Sequence, residues 1–416
     1  MNEVISKRII VLLICFVLSM MALACEKSNV GQHQPEKPSE MMDLETFLQA
    51  VDLPENFSIG FDVSEVESVD FARVYKAVSL ELDAGEVAKK LLKRPIIATE
   101  VYAQGPWFET GDEAFKEYLT VYDGGKSLGM DSGVEGGLSY SVLIGGKSIS
   151  EKQAIFMGHD LSPSDNLWDR FKYTLKNDYA SFADLSFMDH MDALTEVEKV
   201  LHDTLGFPEL EIAEAYSMDY ETMQKHYQLY TEAMSRYGIQ PEKITFSKDD
   251  ECYAFFFRQV LDGIPVINVI WQGGMTINSA AGGSDSAIKI AAGNPMPYTN
   301  VSVYYDKNGV RSIRANDLYE VVEAGEKKPL IGGAEALQAV IDHYSEILLA
   351  SETIVQSMEL CYVGVPSGDH YQLIPAWVFC IMQAEERMNQ TDGAGYPIYS
   401  YDYYVVDAIT GEKISS

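Results

Sequence analysis

Apolar residues return at alternating positions from Ala72 to Leu82, through Val74, Val78, Leu80 and Leu82, which is the period of a strand with one buried face. Asp83 then stands where a helix N-cap belongs, and Val87, Ala88, Leu91 and Leu92 follow at helical spacing until Pro95 stops them. Further strands are predicted from Ile96 to Phe108, Tyr118 to Tyr122 and Leu138 to Ile144. Gly124, Gly125, Gly129, Gly133, Gly136 and Gly137 lie between the last two and mark turns.

Thr195 and Glu198 have capping-box spacing ahead of Val197, Val200, Leu201 and Leu205, and Gly206 with Pro208 closes that predicted helix. In a second helix Tyr220, Met223, Tyr227, Tyr230, Met234 and Tyr237 share one face and end at Gly238. Such a stripe serves either as a ligand surface or as a face packed on a sheet, and packing is the commoner use. Two hairpins follow, one turning at Asp262 and Gly263, the other at Lys307, Asn308 and Gly309. They imply an antiparallel sheet, with a Gly, Ser and Ala rich loop from Gly273 to Gly293 between them. After Gly332 and Gly333 a helix presents Ala336, Leu337, Val340, Ile341, Tyr344, Ile347 and Leu348 as its apolar face. Strands from Ile354 to Val365, Tyr371 to Ala384 and Ile398 to Ala408 complete the chain.

The expected fold class is α+β, with antiparallel sheets and packed helices in more than one domain. Its divisions are an N-terminal α+β region at 44–185, a middle module at 186–331 and a C-terminal module at 332–416. Ahead of them, Lys7 and Arg8 introduce 16 uncharged, mostly apolar residues from Ile9 to Ala24, a run too short to span a bilayer. It ends Ala22, Leu23, Ala24, Cys25, which resembles a bacterial lipobox. That resemblance implies a signal peptide at 1–24, a lipid on the Cys25 thiol and a protein anchored on the outer face of the cytoplasmic membrane. Residues 25–43 are polar, carry Pro35 and Pro38, and are expected to form a disordered tether.

The full chain of 416 residues has 31 Lys and Arg against 63 Asp and Glu. Removing Glu3, Lys7 and Arg8 with the signal leaves 62 acids against 29 bases, a charge of −33. Coulomb repulsion of that size opposes a phosphate backbone and leaves nucleic acid out as a partner.

Chemistry is sparse in the pattern. Gly146, Lys147 and Ser148 supply half of a phosphate loop, but Ser141 stands where its first glycine belongs. No two of the seven histidines have zincin spacing, and no CxxC occurs, so no metal site and no cofactor are expected. His190, in MDHMD, reads as a helix-entry histidine ahead of a metal ligand. The acid pairs Asp249 with Asp250 and Glu385 with Glu386 read as solvated faces ahead of glycosidase carboxylates. Of the cysteines that follow Cys25, Cys252, Cys361 and Cys380 each sit in an apolar run and are expected to be buried thiols. Tyr399, Tyr401 and Tyr403 alternate onto one side of the last strand. They make a candidate binding surface, against the alternative that this face packs on the helix.

The text YAFFFRQVLDGIPV at Tyr253 to Val266 resembles the strand pair of PepSY and thermolysin-propeptide modules. QLIPAWVF and the turn from Asp407 to Lys413 resemble the closing strands of PepSY-like and YycI-type domains. The resemblance covers Thr195 to Ser416 and implies two cystatin-like modules used to inhibit a protease, hold a propeptide or tune a membrane sensor. No peptidase domain follows, so a propeptide role within the chain is not expected. The reading is then a noncatalytic, lipid-anchored extracytoplasmic lipoprotein, regulatory or inhibitory through an envelope protein or peptide partner. One alternative is a solute-binding lipoprotein holding a sugar or peptide between modules, with Trp107, Trp271, Trp377 and tyrosines as the aromatic walls of a deep cleft. Another is an exported hydrolase, which needs convergent acids or histidines with perturbed pKa values.

Overall fold

A computed structural model describes residues 43–92, 98–103, 116–122, 126–131, 138–142, 178–236, 238, 240, 243–267, 270–271, 288–289, 301–315, 318–388 and 395–414. Cys25, Trp107, the signal segment and all of the tether but Asp43 lie outside them, as does most of the Gly273 to Gly293 loop. Asp43 accepts the Thr46 N–H at 2.8 Å and so caps helix α1 (Leu44–Ala50). There follow β1 (Phe57–Ile59), β2 (Phe71–Ala72), β3 (Tyr75–Ser79) and α2 (Ala84–Leu92). Asp83 accepts the Glu86 N–H at 2.8 Å, the cap expected of it. The predicted strand from Ala72 to Leu82 is thus broken at Arg73 and Val74.

Next come β4 (Ala98–Ala103), β5 (Lys116–Tyr122), β6 (Lys126–Asp131) and β7 (Leu138–Val142). Helix α3 (His190–Lys199) continues as a π turn to Leu205 and closes on Gly206 in the left-handed region, at φ 73°. Its start corrects the capping box: Thr195 is inside the helix, and its hydroxyl donates back to the Met191 carbonyl at 2.8 Å. Strand β8 (Leu210–Met218) leads to α4 (Tyr220–Arg236), then β9 (Cys252–Leu261) and β10 (Ile264–Ile267). Asp262 and Gly263 between these two have φ of 51° and 79°, the double left-handed turn a two-residue hairpin needs.

The remaining elements are β11 (Ile270–Trp271), β12 (Ile288–Lys289), β13 (Val301–Asp306), β14 (Gly309–Ala315), β15 (Tyr319–Ala324), β16 (Lys328–Pro329), α5 (Gly333–Ser345), β17 (Thr353–Ser367), β18 (His370–Met388) and β19 (Gly395–Asp407). The order helix, strand, strand, strand expected of the last region is present, with consecutive strands antiparallel. The apolar face of α5 stops at Tyr344. Ile347 and Leu348 lie past the helix end and are exposed, and Leu349 is the buried residue there.

Together these elements make a mixed α/β fold in which helices pack on a large curled sheet. Among the described residues 15 strands are joined in the order β15-β3-β18-β17-β10-β9-β13-β14-β7-β6-β5-β4, with β1 on β17, β19 on β18 and β8 on β9. The sheet is not wholly antiparallel, because β1 and β10 both run parallel to β17 along one edge. Strands pair across the predicted boundaries: β3 with β15 and β18, β7 with β14, and β10 with β17.

Helices on the faces explain the uninterrupted apolar runs. Tyr253, Phe255 and Phe257 of β9 pack with Ala193, Leu194 and Val197 of α3, whereas Cys252, Ala254 and Phe256 pack with Met223 and Tyr227 of α4. A strand covered on both sides has no polar face to show. In the other half of the sheet Phe379 and Ile381 of β18 meet Leu337, Val340 and Ile341 of α5.

The curl brings β15 back towards β9. The Gln259 side chain donates to the Tyr319 carbonyl at 2.8 Å and accepts the Tyr319 N–H at 2.9 Å, as a neighbouring strand would. The Tyr319 hydroxyl lies 2.6 Å from where a Cβ on Gly364 would stand. Gly364→Ala is therefore expected to cost about 1–3 kcal/mol through overpacking, read as a lower denaturation midpoint with an unchanged m-value.

Candidate functional site

In the proposed tyrosine surface, Tyr399 and Tyr401 stand opposite Ala384 and Met382 in the β19–β18 register, and their side chains lie outside the described residues. Tyr403 is half-buried and packs with Ile267, Cys361 and Val405 on the face away from α5. Its neighbour Tyr404 takes the helix side, 5.1 Å from the His343 ring and beneath the Lys413 ammonium. Packing on α5 thus belongs to the Tyr404 side.

The other candidates resolve into braces. His190 is at the entry of α3, where its backbone N–H at 3.0 Å and its ring Nδ1–H at 2.7 Å both donate to the Asp184 carboxylate. Asp250 completes a capping box with Ser247, and Asp249 pairs with Lys307 at 2.5 Å. Glu385 and Glu386 are in β18, with side chains outside the described residues. Cys252, Cys361 and Cys380 are buried, and no disulfide joins them. Burial pushes the Cys380 thiol up to about 11 and so keeps it protonated. Trp377 is 1% exposed, with its indole N–H donating to the Ile331 carbonyl at 3.1 Å, so it belongs to the core and lines no cleft. Among the described residues no group of three His, Cys, Asp or Glu side chains is placed to hold a metal ion.

Two constellations were not legible from spacing. The first is a relay through α4. His226 is fully buried, with Nε2 2.9 Å from an Asp178 carboxylate oxygen and Nδ1 3.1 Å from the Tyr179 hydroxyl. The His226 hydrogen bond holds the Asp178 carboxyl below the usual range, so it is ionised and can only accept. In the neutral ring the proton therefore sits on Nε2, and Nδ1 accepts from Tyr179. Tyrosine, imidazole and carboxylate stand in the order of a nucleophile, a base and its orienting acid. Reactivity is opposed by the surroundings: burial raises the Tyr179 phenol and lowers the His226 imidazole, so neither charged form is favoured. Met223, Phe246 and Cys252 complete the same buried cluster. The relay fastens Asp178 and Tyr179 onto α4.

The second constellation sits where the two halves of the sheet meet. Arg258 of β9 donates to Glu211 of β8 and to Glu359 of β17. Its side chain is 22% exposed, and the two carboxylates, at 41% and 33%, stay partly in water. Attraction to both acids outweighs the burial that would lower the guanidinium, and its pKa is raised. Cys361 lies nearby, its thiol raised well above the usual value by burial and then by Glu359.

No protein-family model matches the chain, and no curated protein does. A solved structure of an uncharacterized protein from Eubacterium rectale is similar over 86% of this chain and 89% of its own, at 18% identity and a TM-score of 0.50. At that identity the likeness is one of fold.

Proposed function

We propose that the protein is a noncatalytic lipoprotein, held on the outer face of the cytoplasmic membrane by a lipid on Cys25, and regulatory or inhibitory through binding an envelope protein or peptide. Cystatin-like modules of the PepSY kind are the fold-level form of the same proposal. The observation that carries the binding role is strand β15. It ends the sheet, pairs among the described residues with β3 alone, and leaves Glu320, Val321, Val322, Glu323 and Ala324 exposed in succession. An edge with exposed valines offers backbone groups and apolar contacts to an added strand. The acids and the irregular register between Val321 and Glu323 restrain indiscriminate pairing.

The relay of Tyr179, His226 and Asp178, whose tyrosine and imidazole are both buried, supports a noncatalytic reading over a hydrolase. Trp377 in the core removes one of the aromatic side chains, three indoles and tyrosines, on which a solute cleft would rely. No helix among the described residues is long and apolar enough to cross a membrane.

A photo-crosslinker placed at Val322 in cells, followed by mass spectrometry, tests this. A specific envelope partner is expected, lost in Cys25→Ala. Recovery of bulk envelope proteins alone, unaffected by Cys25→Ala, would overturn the reading.

A further inference from the structure

The segment from Asp178 to Ala183 bridges α4 and the outer edge of β8. At the helix it is held by the His226 contacts to Asp178 and Tyr179. At the strand the Ser217 N–H donates to the Ala180 carbonyl at 2.8 Å, the Ala183 N–H donates to the Ser217 hydroxyl oxygen at 3.1 Å, and that hydroxyl donates to the Ala183 carbonyl at 2.5 Å. We propose that this segment is a proton-sensitive latch, closed while the buried His226 is neutral, and released from α4 and from the edge of β8 when the imidazole gains a second proton.

The geometry gives the latch its sensitivity. A fully buried imidazole cannot take a charge without desolvating it, whereas in the released state the same ring is in water. Asp178 and Tyr179 face it from the segment, Lys225 from α4, and Asp219 from the turn before that helix. Cys252 of β9 and Tyr304 of β13 stand behind Tyr179. Asp178 and Asp219 favour the imidazolium and Lys225 opposes it, but burial is the largest influence and holds His226 below its usual value of 6.5.

The sign follows. As pH falls below 6.5 the released form binds a proton that the closed form resists, so the latch is firm above that value and loosens beneath it. Protonation of Asp178, whose carboxyl is held down by His226, acts in the same direction near and below 3.8. Release uncovers the β8 backbone at Ser217, an edge distinct from β15, so the latch does not depend on the proposed binding role.

Hydrogen exchange of the full chain, corrected for intrinsic rates, tests the latch. Protection of 178–183 should fall by about tenfold from pH 7.5 to 5.5, while β17 and β18 keep theirs. His226→Gln, which carries no titrating ring, should make that protection independent of pH. Equal protection of the wild type at both pH values, or an undiminished pH dependence in His226→Gln, overturns the proposal. If that variant does not fold, NMR titration of the His226 ring in the wild type decides: a midpoint below 6.5 supports the latch, and one at or above 6.5 overturns it.

Discussion

Trp377→Ala should lower the stability of the fold by about 3–5 kcal/mol, the range for deleting a buried aromatic ring. The indole fills the core between β18 and the segment leading into α5, and its N–H satisfies the Ile331 carbonyl. Truncation leaves a cavity and removes that carbonyl's donor at once, and both losses act in the same direction. Trp377→Phe keeps much of the ring and loses the donor, so it should fall between the wild type and alanine. Urea denaturation with an unchanged m-value measures the series. If Trp377 were a ligand wall, alanine would abolish ligand binding and leave the midpoint in place. A midpoint unmoved by alanine would therefore count against the core assignment.

Arg258→Met should cost about 1–3 kcal/mol, between the worth of an exposed ion pair and the loss of one partner of a buried one, since Glu211 and Glu359 stay partly in water. The methionine fills much the same volume, so the loss reports charge and hydrogen bonding more than packing. Two carboxylates then face each other across the junction of β8, β9 and β17 with the cation gone. Adding Glu211→Gln and Glu359→Gln to Arg258→Met removes that repulsion and should recover most of the loss. A double-mutant cycle by chemical denaturation gives the coupling directly. Additive effects of the Arg258 and Glu359 substitutions would show that the guanidinium does not bind the halves together.

Much of the secondary structure was readable because it depends on local signals. The left-handed turn at Asp262 and Gly263, the cap at Asp83 and the apolar stripe of α4 from Tyr220 to Tyr230 are each written within a few residues, while Tyr237 and the Met234 side chain lie outside the described residues. The Thr195 capping box failed for the opposite reason: the same residue types occur inside helices, and only the preceding turn, held by Asp184, tells the two cases apart. His226 had a partial signal. It stands three positions after Met223 on the stripe of α4, where a polar residue needs a buried partner. That partner, Asp178, is 48 residues away and carries no spacing rule. The three ends of the Arg258 cluster are likewise brought together by strand order alone. The parallel placement of β1 and β10 beside β17 depends on the curl of the sheet, which period and turn chemistry do not encode.

The register of β1 and β3 also dictates a timetable. Phe57 pairs with Thr353, and Ala77 with both Val321 and Tyr371, so among the described residues β1 and β3 find their neighbours in β15, β17 and β18. Closing loops of that length is slow and must precede the contacts that reward it. A ribosome releasing this polypeptide therefore leaves β1 and β3 without these partners until β15 to β18 have emerged. Such a late-closing architecture keeps β1 and β3 threadable while they wait, the condition that the proposed route out of the cytoplasm requires.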